Sequence, residues 1–409
     1  MLTKKSFFQF KLMLLAFAGI ILFLPVLKSQ ASTVWQVTGS KGVVSTGAGY
    51  ETDITTSDQG IVYTAFQDKK FGKKARVRKF NGSSWSDLAD ADNPRGLVSA
   101  REGYKPALAA KGNSVYIAFS DQSQNYRVKV KKWDGVNWTD LSDNNHPLGL
   151  ISSQKGEEPE IQLNKSGSLL YVAFRDELSG SRIKVMQWNG TGWAEVSDEN
   201  NPSGLISSAG GAEVAIVSSK IDDSLYLTYE DVSNNLRLVV KKFDGSHWST
   251  VTDSTHSDGL ITTTPAYSPS ISVDSNDHLY LVYTYKKEGD TRILHWDGSS
   301  WNTLGNGIVS SGKTIESTVE VDSQNNVLVA MSQYKKVGKR KASWGIKVKK
   351  WDGQLWKDVS DSRTPQGFLS RKGKGDPSLT SFGGKIYISF TDYGMSRKAR
   401  IMFFNPTGI

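Results

Sequence analysis

Seven short segments of the chain share one register of residue types that could do acid–base or cation chemistry. Each segment has a first apolar anchor: Ile54, Leu108, Ile161, Ile216, Ile271, Val319 and Leu379. Three positions earlier stand Glu51, Lys105, Glu158, Glu213, Ser268, Glu316 and Asp376. Five of these seven are carboxylates, so segments that converge in space would surround one opening with a broken ring of acid. Such a ring could hold a cation or turn an acid pair toward a substrate. Oxygen-only ligands suit Ca2+ better than zinc, and no other cofactor is implied. In the plainer role, each carboxylate caps backbone amides or meets a neighbouring arginine.

A second constellation is basic. Lys69, Lys70, Lys73 and Lys74 fall in one connecting segment, and Lys335, Lys336, Lys339, Arg340 and Lys341 in another. Lys286, Lys287, Arg397 and Lys398 occupy equivalent places, whereas 122–126, 177–181 and 232–236 carry no lysine. An arc of this kind draws an anionic polymer by long-range attraction, although a solvated face that aids solubility has the same composition. A third set pairs an aspartate with an arginine six or eight residues on: Asp68 with Arg76, Asp121 with Arg127, Asp176 with Arg182, Asp231 with Arg237, Asp392 with Arg400. Because the pair recurs, its expected role is a structural ion pair across a hairpin. The five histidines are scattered without ligand spacing, cysteine is absent, and the Gly-Leu-Ile-Ser segments precede no helix. Metal and nucleophile motifs are therefore missing.

The elements that position these residues repeat about every 50 to 60 residues. Each unit holds an apolar strand ending in an aromatic and usually an aspartate, as in 171–176. An alternating strand, a tight Asn-Gly or Asp-Gly turn and a tryptophan follow, as in 127–138. Period-two alternation and turns of this type give a four-stranded antiparallel sheet per unit, and seven such sheets repeated radially give an all-β, seven-bladed propeller. The seventh unit lacks its closing tryptophan, while Val34-Trp35-Gln36-Val37 at the other end resembles Trp85-Ser86-Asp87-Leu88. The N-terminal strand is thus expected to complete the last blade and shut the ring. Once per blade, Trp35, Trp85, Trp138, Trp193, Trp248, Trp301 and Trp356 are expected to pack between blades.

The repeat resembles those of secreted bacterial propellers of the kelch, sialidase and fucose-lectin type. The resemblance covers 33–409 and rests on the blade pattern. The Ser-x-Asp-x-Gly-x-Thr-Trp box of sialidases is approached only at 272–278, without its glycine, threonine or tryptophan. Residues 1–31, with Lys4, Lys5 and Lys11 before an apolar run and Ser29-x-Ala31 at its end, read as a cleavable signal peptide, leaving 32–409 as the propeller. Its removal takes four lysines and no acid, so the net charge falls from +9 to about +5. No membrane span is then expected, nor nucleic-acid binding, and the protein is read as a secreted or surface-associated monomer. The function expected is non-catalytic recognition of extracellular or cell-wall polysaccharide, with an anionic polymer suggested by the basic arc. The alternatives are a propeller glycoside hydrolase or polysaccharide lyase, with Glu158, Glu213 or Glu316 as acid or base, and a cell-surface protein-interaction scaffold.

Overall fold

The computed structural model describes residues 35–335, 343–360, 364–370, 372 and 375–406, and the expected signal peptide lies outside them. Seven antiparallel sheets of four strands each make the fold. Blade 1 runs outward from the axis as Gly49–Thr56, Val62–Asp68, Lys74–Phe80 and Trp85–Asp87. The second strands are mostly buried, and Val62–Asp68 and Leu225–Asp231 are buried along their whole length. Neighbouring blades cover both faces of these strands, which is why they read as unbroken apolar runs. The innermost strands pair with one strand only and leave their other edge to the channel, where polar residues are accommodated.

Two glycines show how the turns are made. Gly135 takes φ 109° in the hairpin between third and outermost strands, and the Asp134 carboxylate accepts from the amides of Val136 and Asn137, both at 2.8 Å. Gly96 (φ 65°) passes so close to the next backbone that a Cβ would stand 2.4 Å from the Val77 carbonyl.

Ring closure follows the expected register. Gln36 pairs with Phe403 and Val37 with Met402 on Lys398–Phe404, so the seventh sheet takes its outermost strand from the N-terminal end. Trp35 is 0% exposed, its ring lies 4.4 Å from that of Phe404, and its indole N–H donates to the Val359 carbonyl at 2.9 Å. Trp138, Trp193 and Trp301 make the same bond to Leu88, Leu141 and Val251 of the preceding blade, at 2.8, 2.7 and 2.9 Å. These four tryptophans therefore pack and hydrogen-bond across a blade boundary, whereas the Trp356 indole N–H is buried without a partner among the described residues.

The aspartate–arginine set is corrected by the register. Asp68–Arg76 and Asp392–Arg400 form ion pairs at 2.8 and 3.1 Å. Among the described residues the other three pairs do not form. Arg76 stands opposite Phe66, and the residues opposite the matching Phe119 and Phe174 are Lys129 and Lys184. Arg127 and Arg182 sit two residues nearer the turn, and their Nε atoms donate to the carbonyls of Ser152 and Ser207 at 2.5 and 2.7 Å. The base that recurs is thus the next one along, and it meets the outermost strand: Arg76–Asp87 at 2.8 Å, Lys129–Asp140 at 3.2 Å, Lys184–Glu195 at 2.8 Å, Lys347–Asp358 at 3.0 Å. The aspartates cap the short turn that follows them, as Asp121 does by accepting from the Ser123 amide at 2.9 Å.

Candidate functional site: the channel mouth

The innermost strands line a central channel of about 490 Å³, and all seven register positions lie in its wall. In six blades the pairing with the second strand slips at this point, as between Tyr50 and Asp53 or between Tyr104 and Ala107. Each slip is a β-bulge whose extra residue takes left-handed backbone: Glu51 (φ 49°), Lys105 (48°), Glu158 (53°), Glu213 (47°), Ser268 (48°) and Glu316 (47°). Left-handed backbone is uncommon for side chains of this size, and bulges re-aim a side chain. Here the side chains are turned to the mouth on the face that carries the loops between second and third strands. Glu51 and Asp376 share a surface pocket there with Lys69 and Lys73.

The carboxylates cap the next blade. Glu51 accepts from the Lys105 amide at 2.8 Å, and Glu158 from the Glu213 amide at 3.3 Å. Burial pushes the Glu51 carboxyl up to about 7, against an ordinary 4.5, with the Lys105 amide and ammonium opposing the rise. Burial also raises Glu158, with Glu213 adding repulsion, and Glu316, with the neighbouring Asp376 adding to the rise. Burial alone would lower the Lys105 ammonium, yet Asp376, Glu213, Glu51 and Glu316 together raise it. Those carboxylates belong to four different blades, so one cation serves most of the ring. Among the described residues, no group of three or more metal-ligating side chains could hold a metal ion.

Sequence reasoning missed a second tier, although the register carried its signal on either side of the anchors. Asp53 accepts from the Leu108 amide and the Ser378 hydroxyl, both at 2.7 Å, and Glu320 accepts from Ser381 at 2.6 Å. Glu160 is open to channel water but walled by protein, and this enclosure holds it up to about 8, Asp53 adding repulsion.

The described part of the basic arc is mixed in its surroundings. Lys69 and Lys70 are exposed, Lys73 is paired with Glu102 at 2.9 Å, and Lys74 is half-buried. Lys335 lies 3.6 Å over the Phe368 ring and donates to the Ser370 carbonyl at 3.2 Å. Lys336, Lys339, Arg340 and Lys341 lie outside the described residues.

The raised carboxyls fix a pH dependence. Glu51 binds its proton more tightly folded than unfolded, so stability falls as pH rises from its ordinary value toward about 7. His295, lowered by burial, acts in the opposite direction, but the raised carboxyls outnumber it. The melting temperature is expected to be higher near about pH 5.5 than near about pH 7.5, and Glu51→Gln to flatten that slope. A melting temperature that rises between the two would show the ring to be fully ionised.

No protein-family model matches the chain, and no curated protein matches it. Solved structures do. An ulvan lyase, from a new family of polysaccharide lyase and bound to a GlcA(1-4)rhamnose 3-sulfate repeat, is 12% identical over 91% of this chain and 94% of its own, with a TM-score of 0.53. The SapL1 lectin in complex with alpha methyl fucoside is 14% identical over 78% of this chain and 97% of its own, with a TM-score of 0.49. The fucose-recognising Aleuria aurantia lectin, a six-bladed β-propeller, is 15% identical over 78% and 96%, with a TM-score of 0.47. At these identities the likeness is one of fold.

Proposed function

We propose that this propeller is a secreted, monomeric carbohydrate-binding protein without catalytic activity, which takes extracellular or cell-wall polysaccharide at the channel mouth. The observation that carries the reading is a pocket of about 300 Å³ where Tyr50, Tyr104 and Tyr393 stand beside Glu51 and Asp376. A sugar ring offers an apolar face and a rim of hydroxyls. Tyrosine rings meet the first, and carboxylates accept from the second. Tyr104 is 37% exposed, a large aromatic left open next to a strained bulge. Exposed Lys69 and Lys70 add attraction for anionic units on the same face. The ring of acids opposes a nucleic-acid backbone.

An enzymatic reading has one observation behind it, the close carboxyl pairs Glu158–Glu213 and Glu316–Asp376. Glycosidases hold their two carboxyl groups about 5–10 Å apart, wider than a hydrogen bond. Here Glu213 beside Glu158 and Asp376 beside Glu316 reinforce the burial that raises those two carboxyls, an approach closer than that spacing, which favours binding over hydrolysis.

A polysaccharide panel tests this directly. The protein is expected to retain at least one polymer without releasing oligosaccharides. Replacing Tyr50, Tyr104 and Tyr393 together by alanine is expected to weaken that binding about tenfold or more, at roughly 1 kcal/mol per ring. Retention of nothing on the panel sinks the reading, and release of product replaces it with the enzymatic one.

A further inference from the structure

The residue before the last in each second strand shows where the repeat is broken. In blades 1, 2 and 7 it ties its blade to the next: Gln67 donates to the Gly103 carbonyl at 3.2 Å, Ser120 to Gly156 at 2.6 Å, and Thr391 to Gly49 at 2.9 Å. Blades 3, 4 and 5 place Arg175, Glu230 and Thr284 there, opposite Glu157, Ala212 and Tyr267. None of these donates to the first strand of the next blade as Gln67, Ser120 and Thr391 do. Arg175 is ion-paired with Glu157 through its terminal nitrogen, while its Nε is buried without a hydrogen-bond partner among the described residues. Thr284 is 6% exposed, and its hydroxyl has no partner among the described residues. Glu230 is 2% exposed and accepts from the Ser268 amide at 2.9 Å.

The departures of blades 3, 4 and 5 meet in one place, whereas in blade 6 the equivalent Ser332, opposite Ile315 and also without a hydroxyl partner among the described residues, is not part of it. Arg175, Glu230 and Thr284 line an off-axis pocket of about 610 Å³ with Tyr267, Lys286 and Lys313, and Glu158, Glu213 and Glu316 lie on its channel side. The Lys286 ammonium stands 5.1 Å over the Tyr267 ring. Neither Lys286 nor Lys313 has an ion-pair partner among the described residues. Three cations, a buried hydroxyl free to donate and an aromatic wall thus surround a volume that fits a short run of sugar units.

We propose that this pocket is a subsite for a uronate unit of the bound polysaccharide, its carboxylate held by Lys286, Lys313 and Arg175 Nε, with Thr284 Oγ1 donating to it. The proposal rests on the carbohydrate-binding reading and adds the ligand class and a second contact point. Burial pushes Glu230 up to about 8, Glu213 and Glu158 adding repulsion. The Ser268 amide and Lys286 oppose that rise, and in its protonated form Glu230 donates a hydrogen bond to a carboxylate instead of repelling it. Uronate affinity should fall as pH rises through that value.

The experiment compares polygalacturonate with its carboxyl-reduced, neutral counterpart, and both with lipoteichoic acid, at physiological salt. Wild type is expected to prefer polygalacturonate at least tenfold, and Lys286→Ser/Lys313→Ser to collapse that preference to within about twofold, as loss of charge-assisted hydrogen bonds requires. Thr284→Val, nearly isosteric, is expected to reduce it without disturbing the fold. Equal binding of the two galacturonate-derived polymers, or binding of neither while another polysaccharide of the panel is retained, overturns the subsite and leaves the carbohydrate reading standing, whereas retention of nothing on the panel removes both. A preference that survives in the double variant overturns the assignment to this pocket. Equal binding of lipoteichoic acid, abolished by salt, points to the surface lysines and also overturns it.

Discussion

Trp35→Ala is expected to destabilise the propeller by about 3–5 kcal/mol, the range for removing a buried tryptophan side chain. The residue is fully buried, lies against Phe404 and donates across the blade boundary to Val359, so its loss opens a cavity and orphans a carbonyl together. Deleting residues 32–40 goes further, because it also strips the strand paired with Met402 and Phe403 and leaves an open sheet edge. The melting temperature is expected to drop by roughly 5–10 °C for the point variant and by more for the deletion. Val136→Ala, at a residue 69% exposed in a hairpin turn, is the control and should leave it unchanged. Equal melting of all three proteins would mean that the ring holds together without its N-terminal strand.

Lys105→Met is expected to be the most costly change at the mouth. Lys105 is the one base among the seven register positions, and carboxylates from blades 7, 4, 1 and 6 outweigh burial to raise its ammonium above the ordinary 10.5. Its stabilisation is therefore fully present below that ordinary value and lost only at higher pH. Removing it leaves the carboxylates facing one another across the channel without a counter-charge. An uncompensated buried charge costs about 3–5 kcal/mol, an upper figure here because channel water relaxes part of it. The carboxyls of the variant are expected to take up protons more readily still, so its deficit should shrink as pH falls from about 7.5 to about 5. Lys105→Arg should recover most of the loss at neutral pH. A Lys105→Met protein that melts like wild type near neutrality would show the ring to be neutralised by protons alone.

How much of this was legible in the residues differs by level. The seven units, their four strands and the closing N-terminal strand follow from alternation, Asp-Gly turns and the displaced tryptophan at 35. These are local patterns, because side-chain period and turn chemistry act over a few residues and repeat identically in each blade. The acid register was legible for the same reason. The innermost strand of every blade borders the axis, so Glu51, Glu158, Glu213, Glu316 and Asp376, at one shared register, come to share the channel wall.

What the sequence could not carry was the offset between strands and the company each side chain keeps. Arg127 and Arg182 count as partners of the preceding aspartates along the chain, but the pairing opposite Phe119 and Phe174 brings Lys129 and Lys184 to that place. The left-handed bulges that turn the acids to the mouth leave no mark in residue type, since glutamate, lysine and serine all adopt them. The lysines at 73 and 335 read as free charge, yet Glu102 from the adjacent connection and the Phe368 ring take them up. Arg175, Glu230, Thr284, Lys286 and Lys313 come from blades 3 to 6 and the connections between them, so no spacing along the chain groups them. Local sequence decides a blade, because its hydrogen bonds and turns close within about fifty residues. The pocket and the counter-ion arise between blades, where only closure of the ring sets which residues meet.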